Sequence, residues 1–106
     1  MFNLNFEGKI VLVTGASRGI GMAIAKEFAD LGATVCGTAT SQAGADAISA
    51  YLGDKGTGFV MNALDKEQVE GLIPAITAKY GSCPDIIVNN AGITKDGLLM
   101  TMKDDA

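Results

Sequence analysis

The chain has 106 residues, the size of one small domain, and its 48% hydrophobic and 19% charged residues are typical of a folded protein. Eight lysines and arginines against twelve aspartates and glutamates give a formal charge of −4, and the basic residues form no cluster. This balance argues against nucleic-acid binding through phosphate neutralisation. Fourteen glycines exceed the usual share of ~7% and indicate several places where the backbone turns tightly or approaches a ligand.

The sequence shows neither a signal peptide nor a membrane span. Residues 1–9 lack a charged segment followed by an apolar stretch. The longest aliphatic runs of the chain are short ones, such as residues 10–13. Cys36 and Cys83 lack CxxC spacing, and the chain has no histidine that could complete a metal site. We therefore expect no metal, two reduced thiols and a cytoplasmic protein.

Short β-branched runs alternate with longer helical patterns, which predicts βαβ units and a parallel sheet covered on both faces. The predicted strands cover residues 9–14, 34–38, 58–61 and 85–89. The predicted helices cover residues 19–31, residues 42–52 and a third segment that begins after Asp65.

The first two predicted helices have clear boundary signals. In the first, apolar residues at helical spacing predict the buried face and Gly32 predicts the end; these residues are Ile20, Ile24, Phe28 and Leu31. Ser41 can cap the second helix and Gly53 can stop it.

The third predicted helix begins with a capping-box pattern, in which Gln68 follows Asp65 by three residues. Pro74 lies inside it and predicts a kink. Its predicted apolar face consists of Val69, Leu72, Ile73 and Ile76.

The fold class that follows is α/β: the N-terminal portion of a Rossmann-type doubly wound parallel sheet, with four strands, three helices and the start of a fourth. Beyond residue 92 no regular element is predicted until residues 103–106, where a helix would begin. In the strand order 3-2-1-4 the fourth strand would be an uncovered apolar edge. This favours residues 1–106 being a truncated part of one domain.

A glycine-rich loop joins the first strand to the first helix. Residues 14–21 read Thr-Gly-Ala-Ser-Arg-Gly-Ile-Gly, a G-x-x-x-G-x-G pattern in strand-turn-helix context. Glycines let the main chain approach a pyrophosphate, and the N-terminus of the helix stabilises its charge. A Walker A loop is excluded, since no Gly-Lys-Ser/Thr follows. The alternative is a turn whose glycines only permit close packing of helix and strand.

The end of the second strand predicts which dinucleotide binds. NAD-binding folds usually carry an acid about 20 residues beyond the loop, whereas residues 37–41 contain no carboxylate. Arg18 can offer a guanidinium to a 2′-phosphate, and Thr40 and Ser41 can offer hydroxyls. We therefore expect NADP(H) rather than NAD; the alternative for Arg18 is a solvated surface cation.

The glycine loop and the Asn-Asn-Ala-Gly of residues 89–92 together resemble the short-chain dehydrogenase/reductase family. Within it, residues 37–41 and 90–100 are similar to bacterial enzymes that reduce 3-oxoacyl groups on acyl carrier protein. Two positions depart from the family pattern: Asn62 stands where Asp is common, and Gly97 where Asn is expected.

The resemblance implies a set of cofactor-binding residues along the ends of the strands. Loop residues would hold the pyrophosphate, Arg18 and Thr40 would face the adenosine phosphate, Asn62 and Ala63 would flank the adenine, and residues of the fourth strand would lie along the ribose. Asn89 and Asn90 could alternatively satisfy buried backbone groups at a turn. The complete predicted set is Gly15, Ser17, Arg18, Gly19, Ile20, Gly21, Thr40, Asn62, Ala63, Asn89, Ala91 and Gly92.

The function implied by the resemblance is NADPH-dependent reduction of 3-oxoacyl-[acyl-carrier-protein] to the 3-hydroxyacyl form in fatty-acid synthesis. The implied partners are acyl carrier protein and, as a homotetramer, further copies of the chain, with neither nucleic acid nor membrane. Reduction or oxidation of another carbonyl or alcohol is one alternative, and a non-catalytic nucleotide-binding fragment is another.

The family's catalytic Tyr-x-x-x-Lys pair, with its Ser, is not expected within these residues. Tyr51 and Lys55 have the spacing, but Gly53 ends the helix between them, and that end of the helix should lie away from the cofactor. We expect the catalytic residues beyond Ala106 and no turnover by residues 1–106 alone.

Overall fold

The computed structural model describes residues 5–61, 66–94 and 97–102. Asn62, Ala63 and Asp65 lie outside these ranges, as does the helix start predicted at residues 103–106. The described elements are β1 (Ile10–Val13), α1 (Gly19–Asp30), β2 (Thr34–Ala39), α2 (Gln42–Leu52), a 3-10 turn (Gly53–Lys55), β3 (Gly56–Val60), α3 (Lys66–Tyr80), β4 (Ile86–Thr94) and β5 (Gly97–Met102).

The strands form one sheet in the order β3-β2-β1-β4-β5. The pairs β1–β2, β2–β3 and β1–β4 are parallel, so the predicted order 3-2-1-4 is confirmed. The chain therefore leaves the sheet at the carboxyl ends of β1 and β2 and crosses back over it through α1 and α2. This topology brings the ends of neighbouring strands together at one edge of the sheet.

The segment after β4 differs from the prediction. β4 continues to Thr94, and β5 pairs with it antiparallel, with an irregularity between Asn89 and Thr94. The expectations of an irregular segment there and of an uncovered edge on the fourth strand are therefore wrong. The N–H and C=O groups along that edge of β4 pair with β5, which follows closely in sequence and contains the apolar run of residues 98–100.

The core lies on both faces of the sheet, because the side chains of β1 alternate between them. On one face Val11 and Val13 pack in a cluster with Ala25 of α1 and Ile48 of α2. On the other face Ile10 and Leu12 share a cluster with residues of α3, among them Leu72 and Ile76. All four residues of β1 are buried, as expected for the centre of a doubly wound sheet.

The buried face of α1 agrees only in part with the prediction. Gly21, Ala25 and Ala29 are buried, whereas Ile20 is 63% exposed and Ile24 and Phe28 pack only partly buried against the core. Small side chains let the helix axis approach the sheet more closely than leucine-sized ones would. The larger apolar residues therefore lie on the flank of the helix, where Phe28 meets Phe6 edge-on at 5.2 Å between ring centroids.

The boundary signals of the helices are largely confirmed. Ser41 caps α2 by accepting a hydrogen bond from the Gly44 amide at 3.1 Å, and Gly53 follows it with φ of 62°. Gly32 has φ of 98° just after α1.

The third helix, α3, extends from Lys66 to Tyr80 with Pro74, the position of the predicted kink, inside it. No helix in the described ranges has both the length and the apolar character of a membrane span.

Candidate functional site

The glycine loop joins β1 to α1 at the carboxyl edge of the sheet, the side on which the parallel strands have their carboxyl ends. Gly15 and Gly19 have φ of 64° and 65°, a conformation that other residues rarely adopt. Gly21 is buried in the first turn of α1, and a Cβ there would overlap the carbonyl oxygen of Gly15 and lie 2.6 Å from Nδ2 of Asn90. The third glycine of the pattern is therefore required by close contact between the helix and the start of the loop.

Two backbone amides at the start of the loop bind to β2. Gly15 N–H donates to the Thr38 hydroxyl at 3.2 Å, and Ala16 N–H donates to the Thr38 carbonyl at 2.8 Å. Thr38 is only 1% exposed, so these bonds are shielded from water. They fix the start of the loop against the neighbouring strand.

Two carbonyls of the loop accept hydrogen bonds from side chains. Nδ2 of Asn90 donates to the Gly15 carbonyl at 3.0 Å, and the Tyr51 hydroxyl donates to the Ala16 carbonyl at 2.6 Å. Oδ1 of Asn90 is buried and has no hydrogen-bond partner within the described part of the chain. Because such an atom is costly to bury, it is suited to accept a hydrogen bond from a ligand.

The N-terminus of α1 follows the loop directly. Arg18 occupies the N-cap position in an extended conformation and makes no side-chain capping bond, and the first turn carries no acidic residue. In the first turn of an α-helix the amides, here those of Gly19, Ile20 and Gly21, lack intrahelical partners. Together with the helix dipole they form a site suited to an anion.

A cavity of about 400 Å³ opens in front of this loop. Arg18 is the one charged residue among its described lining residues, so the charge facing the cavity is positive. Five predicted site residues line it together with four that the predicted set omits; the lining residues are Gly15, Ser17, Arg18, Gly19 and Thr40 with Thr38, Ala39, Met61 and Asn90. The four additional residues lie at or near the ends of β2 and β3 and in β4, where the rule that ligands bind at carboxyl ends of strands could have found them.

The remaining predicted residues have different positions. Gly21 lies close against the Gly15 carbonyl of the loop, and Ile20 is exposed in the first turn of α1. Asn89, Ala91 and Gly92 lie in β4 beside Asn90, not at a turn, because the pairing with β5 extends the strand. Asn62 and Ala63 fall outside the described residues.

The position of Tyr51 corrects part of the sequence prediction. Gly53 ends α2 between Tyr51 and Lys55 as predicted, but the Tyr51 hydroxyl reaches the glycine loop because side chains of a helix point back toward its N-terminus. Both residues line a second cavity, with Lys26 and Asp30, between α1 and α2. The expectation that this end of α2 lies away from the cofactor loop is therefore wrong for the Tyr51 hydroxyl, whereas the helix ends between Tyr51 and Lys55 as predicted. Burial raises the pKa of Tyr51 from 10.0 to about 12, so its hydroxyl remains a hydrogen-bond donor to higher pH than that of an exposed tyrosine.

The sequence matches a known protein family over a range that includes the site residues. The family model for short chain dehydrogenases matches residues 9–106. The chain belongs to this family. Membership implies a nicotinamide cofactor. The Asn90 oxygen, which has no hydrogen-bond partner among the residues described, and the close approach of Gly21 to Gly15 fit such a group.

Individual relatives are similar over most of the chain. It is 62% identical over 99 residues to 3-oxoacyl-[acyl-carrier-protein] reductase FabG of Haemophilus influenzae, covering 93% of the chain and 40% of that protein. It is 59% identical to the FabG of Escherichia coli K12, covering 96% of the chain and 41% of that protein. For the FabG of Pseudomonas aeruginosa the identity is 50%, covering 96% and 42%. The chain thus spans well under half the length of these curated relatives.

Proposed function

We propose that this chain is the NADPH-binding N-terminal part of an enzyme that reduces 3-oxoacyl-[acyl-carrier-protein] to the 3-hydroxyacyl form. The observation that carries the proposal is the uncapped start of α1, where Arg18 and Gly19 line one cavity beside the glycine loop. The names of the relatives at 50–62% identity support the substrate class. Acyl carrier protein is accordingly the proposed partner and a homotetramer the proposed assembly.

The cofactor would lie along the carboxyl edge of the sheet. Backbone amides of Ser17, Gly19, Ile20 and Gly21 would hold the pyrophosphate, since an anion satisfies the amides that the helix leaves unpaired. Gly15 would allow its close approach. Asn62 and Ala63 would flank the adenine, and Asn89, Ala91 and Gly92 would lie along the ribose and the nicotinamide end.

The preference for NADPH over NADH is proposed from charge. Arg18 is exposed and lines the cavity with Thr40, and the lining residues described there include no carboxylate that would repel a 2′-phosphate. A guanidinium can bind a phosphate through two hydrogen bonds, and the Thr40 hydroxyl adds a third donor. NADH would lose these contacts.

The bound cofactor supplies the hydride that reduces the 3-oxo group. The chain's own residues bind and orient the cofactor, and none of them is proposed to give the proton. That role is proposed for the family's Tyr, with its Lys and Ser, outside these residues. Residues 1–106 alone should therefore bind cofactor without reducing an acetoacetyl thioester.

Titration of both nucleotides tests the proposal. We expect the full protein to bind NADPH more tightly than NADH, measured by nucleotide fluorescence. Arg18→Ala should weaken NADPH binding about tenfold to a hundredfold, since hydrogen bonds to charged groups are worth ~1.5–3 kcal/mol, and should leave NADH binding nearly unchanged.

Lys9→Ala is the matched control, because it removes an exposed cation just before β1, at the other end of that strand. Equal affinities of the wild type for NADPH and NADH would contradict the cofactor assignment. Failure of the full protein to oxidise NADPH with a 3-oxoacyl thioester on acyl carrier protein, despite binding it, would contradict the substrate class and favour another substrate of the family.

A further inference from the structure

The Tyr51 side chain of α2 forms a hydrogen bond to the glycine loop. Its hydroxyl donates to the Ala16 carbonyl at 2.6 Å, across 35 positions of sequence. Its ring packs partly buried against the core cluster below the loop, and Nζ of Lys26 lies 5.4 Å from the ring centroid. The ring is thus held by contacts with both α1 and α2, which fixes the position of the hydroxyl.

The hydrogen bond from Tyr51 to the Ala16 carbonyl also orients the amide of Ser17. The peptide between Ala16 and Ser17 is trans, since the described chain contains no cis peptide. In a trans peptide the C=O and the following N–H point in opposite directions. A carbonyl held toward Tyr51 therefore turns the Ser17 N–H away from it, and Ser17 lines the cavity in front of the loop.

The other bonds at the start of the loop do not fix this peptide. Thr38 holds the amides of Gly15 and Ala16, and Asn90 holds the Gly15 carbonyl. These contacts orient the Thr14–Gly15 and Gly15–Ala16 peptides, which precede the Ala16–Ser17 peptide. Among the hydrogen bonds of the described residues, the Tyr51 hydroxyl is the one partner of the Ala16 carbonyl.

We propose that Tyr51 is a positioning residue of the cofactor site, which orients the Ala16–Ser17 peptide so that the Ser17 amide faces the pyrophosphate of the dinucleotide. This inference rests on the proposed function, because it needs the nucleotide to bind at the loop. It assigns Tyr51 a role in binding without contact to the cofactor. This role differs from the catalytic one, which the sequence does not assign to Tyr51.

Tyr51→Phe removes the hydroxyl and keeps the ring between the helices. Tyr80→Phe is the matched control, since the Tyr80 hydroxyl shares a hydrogen bond of 2.7 Å with Thr57, away from the glycine loop. Both variants lose one partly buried hydrogen bond, so their losses of thermal stability should be similar. Only Tyr51→Phe should weaken NADPH binding, by about fivefold, as expected for one misplaced hydrogen bond.

Two further readouts separate positioning from general stability. In the full enzyme Tyr51→Phe should raise KM for NADPH while kcat stays within about twofold, because the hydroxyl takes no part in the chemistry. Without nucleotide, amide hydrogen exchange of residues 17–21 should be faster in Tyr51→Phe than in Tyr80→Phe, because the loop loses an anchor.

Each outcome decides the inference. If the wild type and Tyr80→Phe bind NADPH and Tyr51→Phe binds equally well, Tyr51 is not a positioning residue, although the proposed function stands. If Tyr51→Phe fails to fold while Tyr80→Phe folds, the hydroxyl serves the fold and the inference is wrong. If the wild type binds no dinucleotide, the proposed function is wrong and the inference fails with it.

Discussion

At the scale of single residues, the site depends on contacts too close for any side chain. Gly21 belongs to α1, yet its Cα packs against the Gly15 carbonyl and the Asn90 amide. This contact joins the helix, the loop and β4 at one point. It explains why a glycine is needed inside a helix, where its conformational freedom is otherwise unfavourable.

Gly21→Ala should destabilise the protein by about 1–3 kcal/mol, because the added methyl overlaps backbone that cannot move without moving the loop. NADPH affinity should fall by about tenfold or more as well, because a displaced loop no longer holds its amides in position for the cofactor. Urea unfolding and nucleotide titration measure the two effects.

Gly71→Ala is the control, since a Cβ at this helical glycine meets nothing within 4 Å. It should stabilise α3 by up to about 1 kcal/mol and leave NADPH affinity unchanged. A Gly21→Ala protein as stable and as tight for NADPH as the wild type would show that the loop can relax around the methyl group.

At the scale of elements, α2 contributes to the site at both ends. Ser41 caps its N-terminus just after β2, and Tyr51 near its C-terminus reaches back to the loop. The position of α2 is set by close packing on the sheet, where Gly58 of β3 lies against the Ala45 backbone. The helix is therefore a rigid link between β2 and the glycine loop.

Ser41→Ala should lower the free energy of unfolding by about 1 kcal/mol, the usual cost of a lost N-cap. The comparison is Ser82→Ala, whose hydroxyl is exposed and makes only a 3.4 Å contact to its neighbour's carbonyl; it should change stability by less than about 0.5 kcal/mol. Equal effects in chemical unfolding without nucleotide would mean that the cap does not stabilise α2.

The elements that the sequence predicted well are those with strong local signals. α2 has the predicted bounds because a capping serine and a terminating glycine flank it. The sequence predicts the buried face of α1 only in part. Ile24 and Phe28 pack against the core, but hydrophobic spacing also favours the exposed Ile20 and does not indicate the buried small residues, which are Gly21, Ala25 and Ala29. β5 was missed because residues 97–102 lack the alternation of a half-buried strand, and only pairing with β4 makes them one.

At the scale of the whole molecule, the parallel sheet brings together residues far apart in sequence. The sequence predicts that Arg18 in the loop and Thr40 after β2 face the same phosphate, and both residues line one cavity. The hydrogen bonds of Thr38, Tyr51 and Asn90 to the loop could not be predicted. They depend on side-chain directions that only packing determines, and no local sequence pattern encodes them.

Burial in the sheet also makes the stability of the molecule depend on pH. Burial raises the pKa of the Cys36 thiol from 9.0 to about 12, opposed by the charge of Lys79. The folded protein therefore keeps a proton that the unfolded chain loses above pH 9, so this contribution is present below pH 9 and is lost as pH rises toward 12. The free energy of unfolding should fall between about pH 8 and about pH 10.5.

Cys36→Ala should show a smaller fall over that interval, while Cys83→Ala, in the loop before β4, should show the fall of the wild type. Part of the fall should remain in Cys36→Ala, because burial also raises the pKa values of Tyr51 and Tyr80. Urea unfolding at both pH values measures this, and an unchanged slope in Cys36→Ala would show that the buried thiol does not contribute.

The most direct measurement is a crystal structure of the protein with NADPH bound. We expect the pyrophosphate within hydrogen-bond distance of the amides of Ser17, Gly19, Ile20 and Gly21, and the 2′-phosphate beside Arg18. A nucleotide bound away from the start of α1, or an Arg18 side chain turned from the 2′-phosphate into solvent, would contradict the proposed cofactor site.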